Sequence, residues 1–184
     1  LASGSNAEGA RLSCEAGMAK LSISGAGIMG RPGVAARLFD TMARTGINLR
    51  LIATSEVKVS CLVAGHQGAK ALRAAADAFE LTEGQLRHNP QPCHLGDPAV
   101  RGVALDLGQA QVAVRRVPDR PGTAAAVCRT LADAGISLDA IVQSERTHEN
   151  SKDMAFTLKR DDLQRAEQAL QTLLLKWPGA RFEQ

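Results

Sequence analysis

Residues 31–56, opening Arg31-Pro32-Gly33, align without a gap onto residues 120–145, opening Arg120-Pro121-Gly122, at an offset of 89 residues. Thirteen of these 26 positions are identical, among them Ala35/Ala124, Thr41/Thr130, Gly46/Gly135, Ile52/Ile141, Ser55/Ser144 and Glu56/Glu145. A repeat of this length confines the chain to two copies of one folded module, and any function must make sense for a pair. At 184 residues the chain has room for two small domains. The repeat also acts as an internal control. Residues shared by both copies read as scaffold, and residues that differ are candidates for specialisation.

Composition narrows the classes of function. Twenty-two basic residues against 19 acidic ones make no field strong enough to advertise nucleic acid or a membrane. Four Phe, one Trp and no Tyr leave too few aromatic faces for base stacking. Cys14, Cys61, Cys93 and Cys128 are irregularly spaced, which favours reduced, buried thiols in a cytoplasmic protein over a metal site. His94, beside Cys93 in a Pro-rich stretch, has no partner motif. Leu1 to Gly9 lacks the basic-then-apolar pattern of a signal peptide, and no apolar stretch is long enough to cross a bilayer.

Each copy reads in the same order. In the first, Leu21 and Ile23 alternate with Ser22 and Ser24 as a short strand. Val34, Leu38, Phe39 and Met42 mark a helix that Gly46 stops. A second strand is expected over Ile47 to Ala53 and a third through Val57, Val59, Cys61 and Val63, followed by a helix carrying Leu72, Ala75, Ala76 and Phe79. In the second copy, Val112 and Val114 open a strand, Val127 and Leu131 lie on a helix, and Gly135 ends it. Ile136 to Gln143 and Met154, Phe156 and Leu158 follow as strands. Asp161 is the expected N-cap of a last helix, with Gln164 three residues on. Ala180 to Glu183 closes the copy as a fourth strand. The order is that of the ferredoxin-like split βαβ arrangement. The fold class is therefore α+β: two βαββαβ modules with antiparallel four-stranded sheets, joined side by side. Residues 1–17 are expected to be a tail and the last strand of a preceding module, 18–81 the first module, 82–99 a Pro/Gly-marked linker, and 100–184 an extra strand (100–106) plus the second module. The chain reads as a piece of something longer.

Gly25-Ala26-Gly27-Ile28-Met29-Gly30 follows a strand and precedes a helix, as a dinucleotide-binding turn does. Three observations oppose that reading. The matching turn of the second copy, Arg115 to Asp119, has no glycine. Arg50 lies near the end of the second strand, where a ribose hydroxyl needs an acidic residue. Two adjacent strands follow the helix, whereas a dinucleotide unit needs another helix first.

The segments Ala19 to Gly27, Pro32 to Ala36, Gly46-Ile47-Asn48 and Ile52 to Ser60 closely resemble the last ACT module of aspartate kinases. Val100 to Asp106, Val117 to Gly122 and Asp139 to Ser144 resemble the penultimate ACT module of the same family. The last type comes first here, which implies the middle pair of a variant with four ACT modules. The resemblance implies a parent enzyme that transfers the γ-phosphoryl of ATP to the side-chain carboxylate of aspartate and is inhibited by lysine, threonine or both. ATP and Mg would belong to the parent's kinase domain, and this segment would be non-catalytic, with no cofactor of its own. The implied partners are L-lysine and/or L-threonine, the kinase domain, and a second copy through ACT–ACT contacts.

An amino-acid site needs N–H groups for a carboxylate and an acceptor for an ammonium. The amides of Gly122, Thr123, Ala124 and Ala125 stand at a helix N-terminus, where partial positive charge gathers, and Asp119 can accept from an ammonium. The resemblance carries over Asp119, Gly122, Ala124 and Gln143 as effector contacts, and Asn48, Thr54, Ser55 and Glu56 as contributions of an opposing module. Pro-Gly-x-Ala-Ala is common to both copies, so Gly122 and Ala124 also read as plain helix entry. Asp119 and Gln143 face Gly30 and Thr54 in the repeat, so the shared scaffold does not demand them; a helix cap is the competing role for Asp119. Glu56 and Glu145, identical in both copies, serve equally well as structural hydrogen-bonding groups. Two departures from the family pattern concern the ligand: Ala140 stands where Met is common, and residues 146–152 replace a shorter acidic loop, with Asp153 retained.

Overall fold

The computed structural model describes residues 16–26, 28, 31–55, 57–87, 106–143 and 151–184. The first module consists of β1 (Met18–Ser24), α1 (Val34–Arg44), β2 (Leu51–Ser55), β3 (Lys58–Ala64) and α2 (Gly68–Ala78). The second has β4 (Gln109–Pro118), α3 (Thr123–Asp133), β5 (Ile141–Gln143), β6 (Ser151–Lys159), α4 (Leu163–Leu174) and β7 (Arg181–Glu183). All strands join one sheet in the order β1-β3-β2-β5-β6-β4-β7, and every ladder is antiparallel. That topology removes the dinucleotide reading of the Gly25–Gly30 segment, which requires parallel strands.

The second module shows the full ferredoxin-like order, β5-β6-β4-β7. Among the described residues the first module contributes three strands, and β1 pairs with β3 alone. The expected strand over 100–106 lies outside the described residues except for Asp106, whose carboxylate accepts from Gly108 N at 2.8 Å and Gln109 Nε2 at 2.9 Å. Residues 1–15 and 88–99 also lie outside them. Gln85 Oε1 accepts from Thr82 N at 2.9 Å, closing a 3-10 turn over Glu83–Gln85.

The helices cover one face of the sheet, and the alternation along the strands points apolar side chains toward them. Leu38, Phe39 and Met42 of α1 are at most 1% exposed, and Val127 and Leu131 of α3 are at 0%. Cys61, Val63, Val114, Met154 and Leu158 supply the sheet side of the same core. Buried leucines and phenylalanines of this kind each stabilise the fold by about 1.5–3 kcal/mol relative to exposure.

A pseudo-two-fold axis runs between the modules. Ala53 pairs with Val142 where β2 meets β5, and these two positions are counterparts in the repeat. Asp40 of α1 and Arg129 of α3, also counterparts, form an ion pair across the axis. Gly33 and Gly122 precede α1 and α3 at φ +96° and +94°. A Cβ on Gly33 would stand 3.9 Å from Ala132 Cβ, and one on Gly122 would stand 3.7 Å from Ala43 Cβ. The shared glycine therefore serves the left-handed backbone turn, since a Cβ at either position would make only ordinary contact with the other module's helix.

Three local expectations need correction. β2 begins at Leu51 and β5 at Ile141, later than the apolar runs from Ile47 and Ile136 suggest. Those isoleucines are buried, at 0% and 1% exposure, but sit in the loops that enter the strands. Asp161 is not the cap of α4, because a 3-10 turn over Arg160–Asp162 precedes the helix and Asp162 takes the flanking position.

Candidate functional site

The β4–α3 turn is positioned by a bulge. Between Val114 and Val117 the β4–β6 register shifts, and Arg116 adopts φ 55°. Asp153 holds the bulge: its Oδ1 accepts from Arg116 N at 3.0 Å and its Oδ2 from Arg115 Nη1 at 3.0 Å. Because the bulge adds a residue, Val117 again faces the core, and Pro118 and Asp119 lead toward the other module.

There the turn forms a crevice between the modules. One wall is Pro118 to Ala125 with Gln143 and Met154; the other is Phe39, Asn48 and Leu49 of the first module. It is a shallow, half-open crevice with about 320 Å³ of space once its open mouth is counted. Gly122 has no side chain to cap α3, so helix geometry leaves the amides of Ala124 and Ala125 unbonded within the turn. Two side-chain oxygens on this lining, Thr123 Oγ1 and Gln143 Oε1, are buried without a hydrogen-bond partner, on residues 6% and 7% exposed. Such groups are costly in a finished core and gain from any water or ligand that can donate to them.

Asp119 behaves differently from the expectation of a free acceptor. Its Oδ1 accepts from Asn48 Nδ2 at 3.1 Å and lies 3.1 Å from the Lys152 ammonium. Lys152, at 3% exposure, also donates to Arg50 O at 3.0 Å and Leu49 O at 3.3 Å. The ammonium is thereby held by two carbonyl acceptors and one carboxylate. Asp119 does not cap α3 through its side chain. Its carboxylate joins the two modules.

The remaining expected contacts fall elsewhere. Thr54 and Ser55 line a second crevice, related to the first by the pseudo-two-fold axis, with Arg31 to Ala36, Cys128, Leu138 and Asp139. Thr54 Oγ1 accepts from Ile141 N at 2.6 Å, so the counterpart of Gln143 is already satisfied. Glu56, Ser144 and Glu145 lie outside the described residues, as do Gly27, Met29, Gly30 and residues 146–150. Thus Asp119, Gly122, Thr123, Ala124, Ala125, Gln143 and Asn48 share one crevice, and Thr54 and Ser55 belong to the other.

Two models of the ACT domain match the chain, over residues 21–79 and 111–174, one on each module. The chain belongs to the ACT-domain family. Its ACT pair is of the aspartate kinase type. Relatives include the aspartokinase of Thermus thermophilus, 46% identical over 84 residues, which are 45% of this chain and 21% of that protein. Aspartokinase 2 of Bacillus subtilis is 40% identical over 73 residues, 40% of this chain and 18% of that protein. Among solved structures, aspartate kinase from Synechocystis superposes with a TM-score of 0.82 at 45% identity, over 91% of this chain and 28% of that one. The chain thus spans about a fifth of the length of the curated relatives it matches.

Within this ACT pair the residue that sequence reasoning missed is Lys152. The signal was present. Lys152, Met154, Phe156 and Leu158 recur every second residue along β6, all facing the helices, so a lysine occupies a position that the alternation assigns to the core. The two described thiols are inert by comparison: burial pushes Cys61 and Cys128 up to about 12. Among the described residues no cluster of three metal-ligating side chains occurs, and no helix is long and apolar enough to cross a membrane.

Proposed function

We propose that this ACT pair is the effector-sensing region of an aspartokinase, non-catalytic in itself, which binds free L-lysine or L-threonine between its modules. In this reading the parent enzyme phosphorylates the side-chain carboxylate of aspartate with ATP and Mg in a separate kinase domain, in the cytoplasm. Occupancy of the crevice biases the arrangement of ACT modules, within the chain and in a dimer formed through them, by its differential affinity for two states. The observation that carries the reading is the pair of buried, uncommitted oxygens, Thr123 Oγ1 and Gln143 Oε1, beside the open N-terminus of α3. A ligand carboxylate suits the amides of Ala124 and Ala125, and a ligand ammonium suits the two oxygens.

Thr123→Val separates this role from a purely structural one. Removing an unpaired buried hydroxyl leaves stability unchanged or slightly raised, while removing a ligand contact weakens binding. Thermal denaturation with and without each amino acid reads both effects. A ligand at about 100 times its Kd stabilises by about 2.7 kcal/mol; the reading requires that gain in the wild type and a smaller one in Thr123→Val. An unchanged melting temperature for the wild type with both amino acids would instead favour a second reading, an assembly module with vestigial sites. The closed Thr54–Ile141 and Asp119–Lys152 contacts speak for that alternative.

A further inference from the structure

The crevice of the second module carries one lining carboxylate, Asp119, and that carboxylate already has a cation. Lys152 approaches it from the buried side of β6 and uses its other donors on Arg50 O and Leu49 O, carbonyls of the opposing module. Asp119, Leu49 and Arg50 together offer what a cationic ligand group would seek, and the protein's own ammonium takes it. Arg120 adds a second positive charge to the lining. What remains is a set for one carboxylate and one ammonium: the amides of Ala124 and Ala125, and the acceptors Thr123 Oγ1 and Gln143 Oε1.

We propose that Lys152 makes the crevice selective for an α-amino acid with an uncharged side chain and excludes diamino acids. This rests on the reading of the crevice as an effector site and narrows its ligand class to that of L-threonine. A second ligand ammonium would meet Arg120 and an Asp119 carboxylate already neutralised by Lys152, with no unpaired carboxylate on the lining to balance it. A ligand cation with no counter-charge of its own beside another cation is unfavourable, so discrimination of about tenfold or more is expected. Lys152→Met continues the apolar row of β6 and returns Asp119 to the crevice as an unpaired carboxylate, the group a diamino acid needs.

Calorimetric titration of the 184-residue chain with L-threonine and with L-lysine tests the proposal. The wild type is expected to bind threonine more tightly than lysine, by about tenfold or more. Lys152→Met is expected to shrink or reverse that ratio, and Lys152→Arg, which keeps the charge, is expected to preserve the preference. Should Lys152→Met fail to fold, Lys152→Gln removes the charge while retaining a donor for Asp119 and must shift the ratio the same way. Wild-type binding of lysine equal to or tighter than threonine overturns the selectivity and leaves the effector site standing, as does a ratio unmoved by loss of the charge. Binding of neither amino acid by the wild type overturns both.

Discussion

Asp119 stands one residue beyond β4, and its carboxylate is committed before any ligand arrives. Asn48 and Lys152 both reach its Oδ1, so its first effect is to hold two modules together. A buried pair of this kind is weak evidence for net stability, yet breaking it by removing one partner costs about 3–5 kcal/mol. Asp119→Ala is therefore expected to lower the urea midpoint of the whole chain, and the double substitution Asp119→Ala/Lys152→Met to recover part of the loss. A single substitution without effect on the midpoint would show that the pair does not join the modules. Gly122 gives a cleaner backbone measurement. Alanine there finds ordinary contact with Ala43 Cβ at 3.7 Å, so the expected loss of about 1–2 kcal/mol comes from φ +94° and not from a clash. Glu183 supplies a pH test. Hydrogen bonds from Arg115 and Arg181 hold its carboxyl below the ordinary value of 4.5. A carboxylate whose folded pKa is lowered stabilises above its unfolded pKa, and that contribution disappears as pH falls through the lower value. Protection of the β7 amides against exchange should therefore decline below pH 4.5 in the wild type, and Glu183→Gln should flatten that dependence.

At the scale of elements, the strongest local prediction concerns the β2–β5 seam. Thr54 Oγ1 accepts from Ile141 N at 2.6 Å, which commits to the seam an oxygen that lines the second crevice. Thr54→Val keeps the shape and removes the acceptor, so the fold is expected to lose about 1–3 kcal/mol, measured by urea denaturation. A neutral result would mean that water replaces the hydroxyl and that the seam does not depend on it. The helices α1 and α3 were legible in the sequence because Gly46 and Gly135 end apolar patterns of helical period. The strands β2 and β5 were legible in kind but not in extent. Burial continues through Ile47 and Ile136 in loops, and hydrophobicity reports burial, not ladder pairing. The crevice was half legible. The turn after Asp119 could be assigned because it differs from its repeat counterpart, whereas Thr54 and Ser55 could not be allotted to a crevice without knowing which modules face each other. Lys152 was hidden in a segment that reads as a replaced loop, although its phase along β6 marked it as inward.

For the whole molecule, the pseudo-two-fold axis turns a sequence repeat into an asymmetric pair. Counterpart positions meet on the axis as Asp40 with Arg129, so a first module paired with its own copy would set aspartate against aspartate. The ion pair is partly exposed and is expected to contribute less than about 1 kcal/mol to stability; its larger effect is on which modules pair. The two crevices diverge by the same logic. One keeps two oxygens uncommitted, and the other spends its threonine on the seam. The stoichiometry of amino-acid binding to this chain tests that asymmetry most directly. The account predicts one molecule of L-threonine per chain by calorimetric titration, lost in Thr123→Val; two molecules per chain, or one that persists in Thr123→Val, would contradict it.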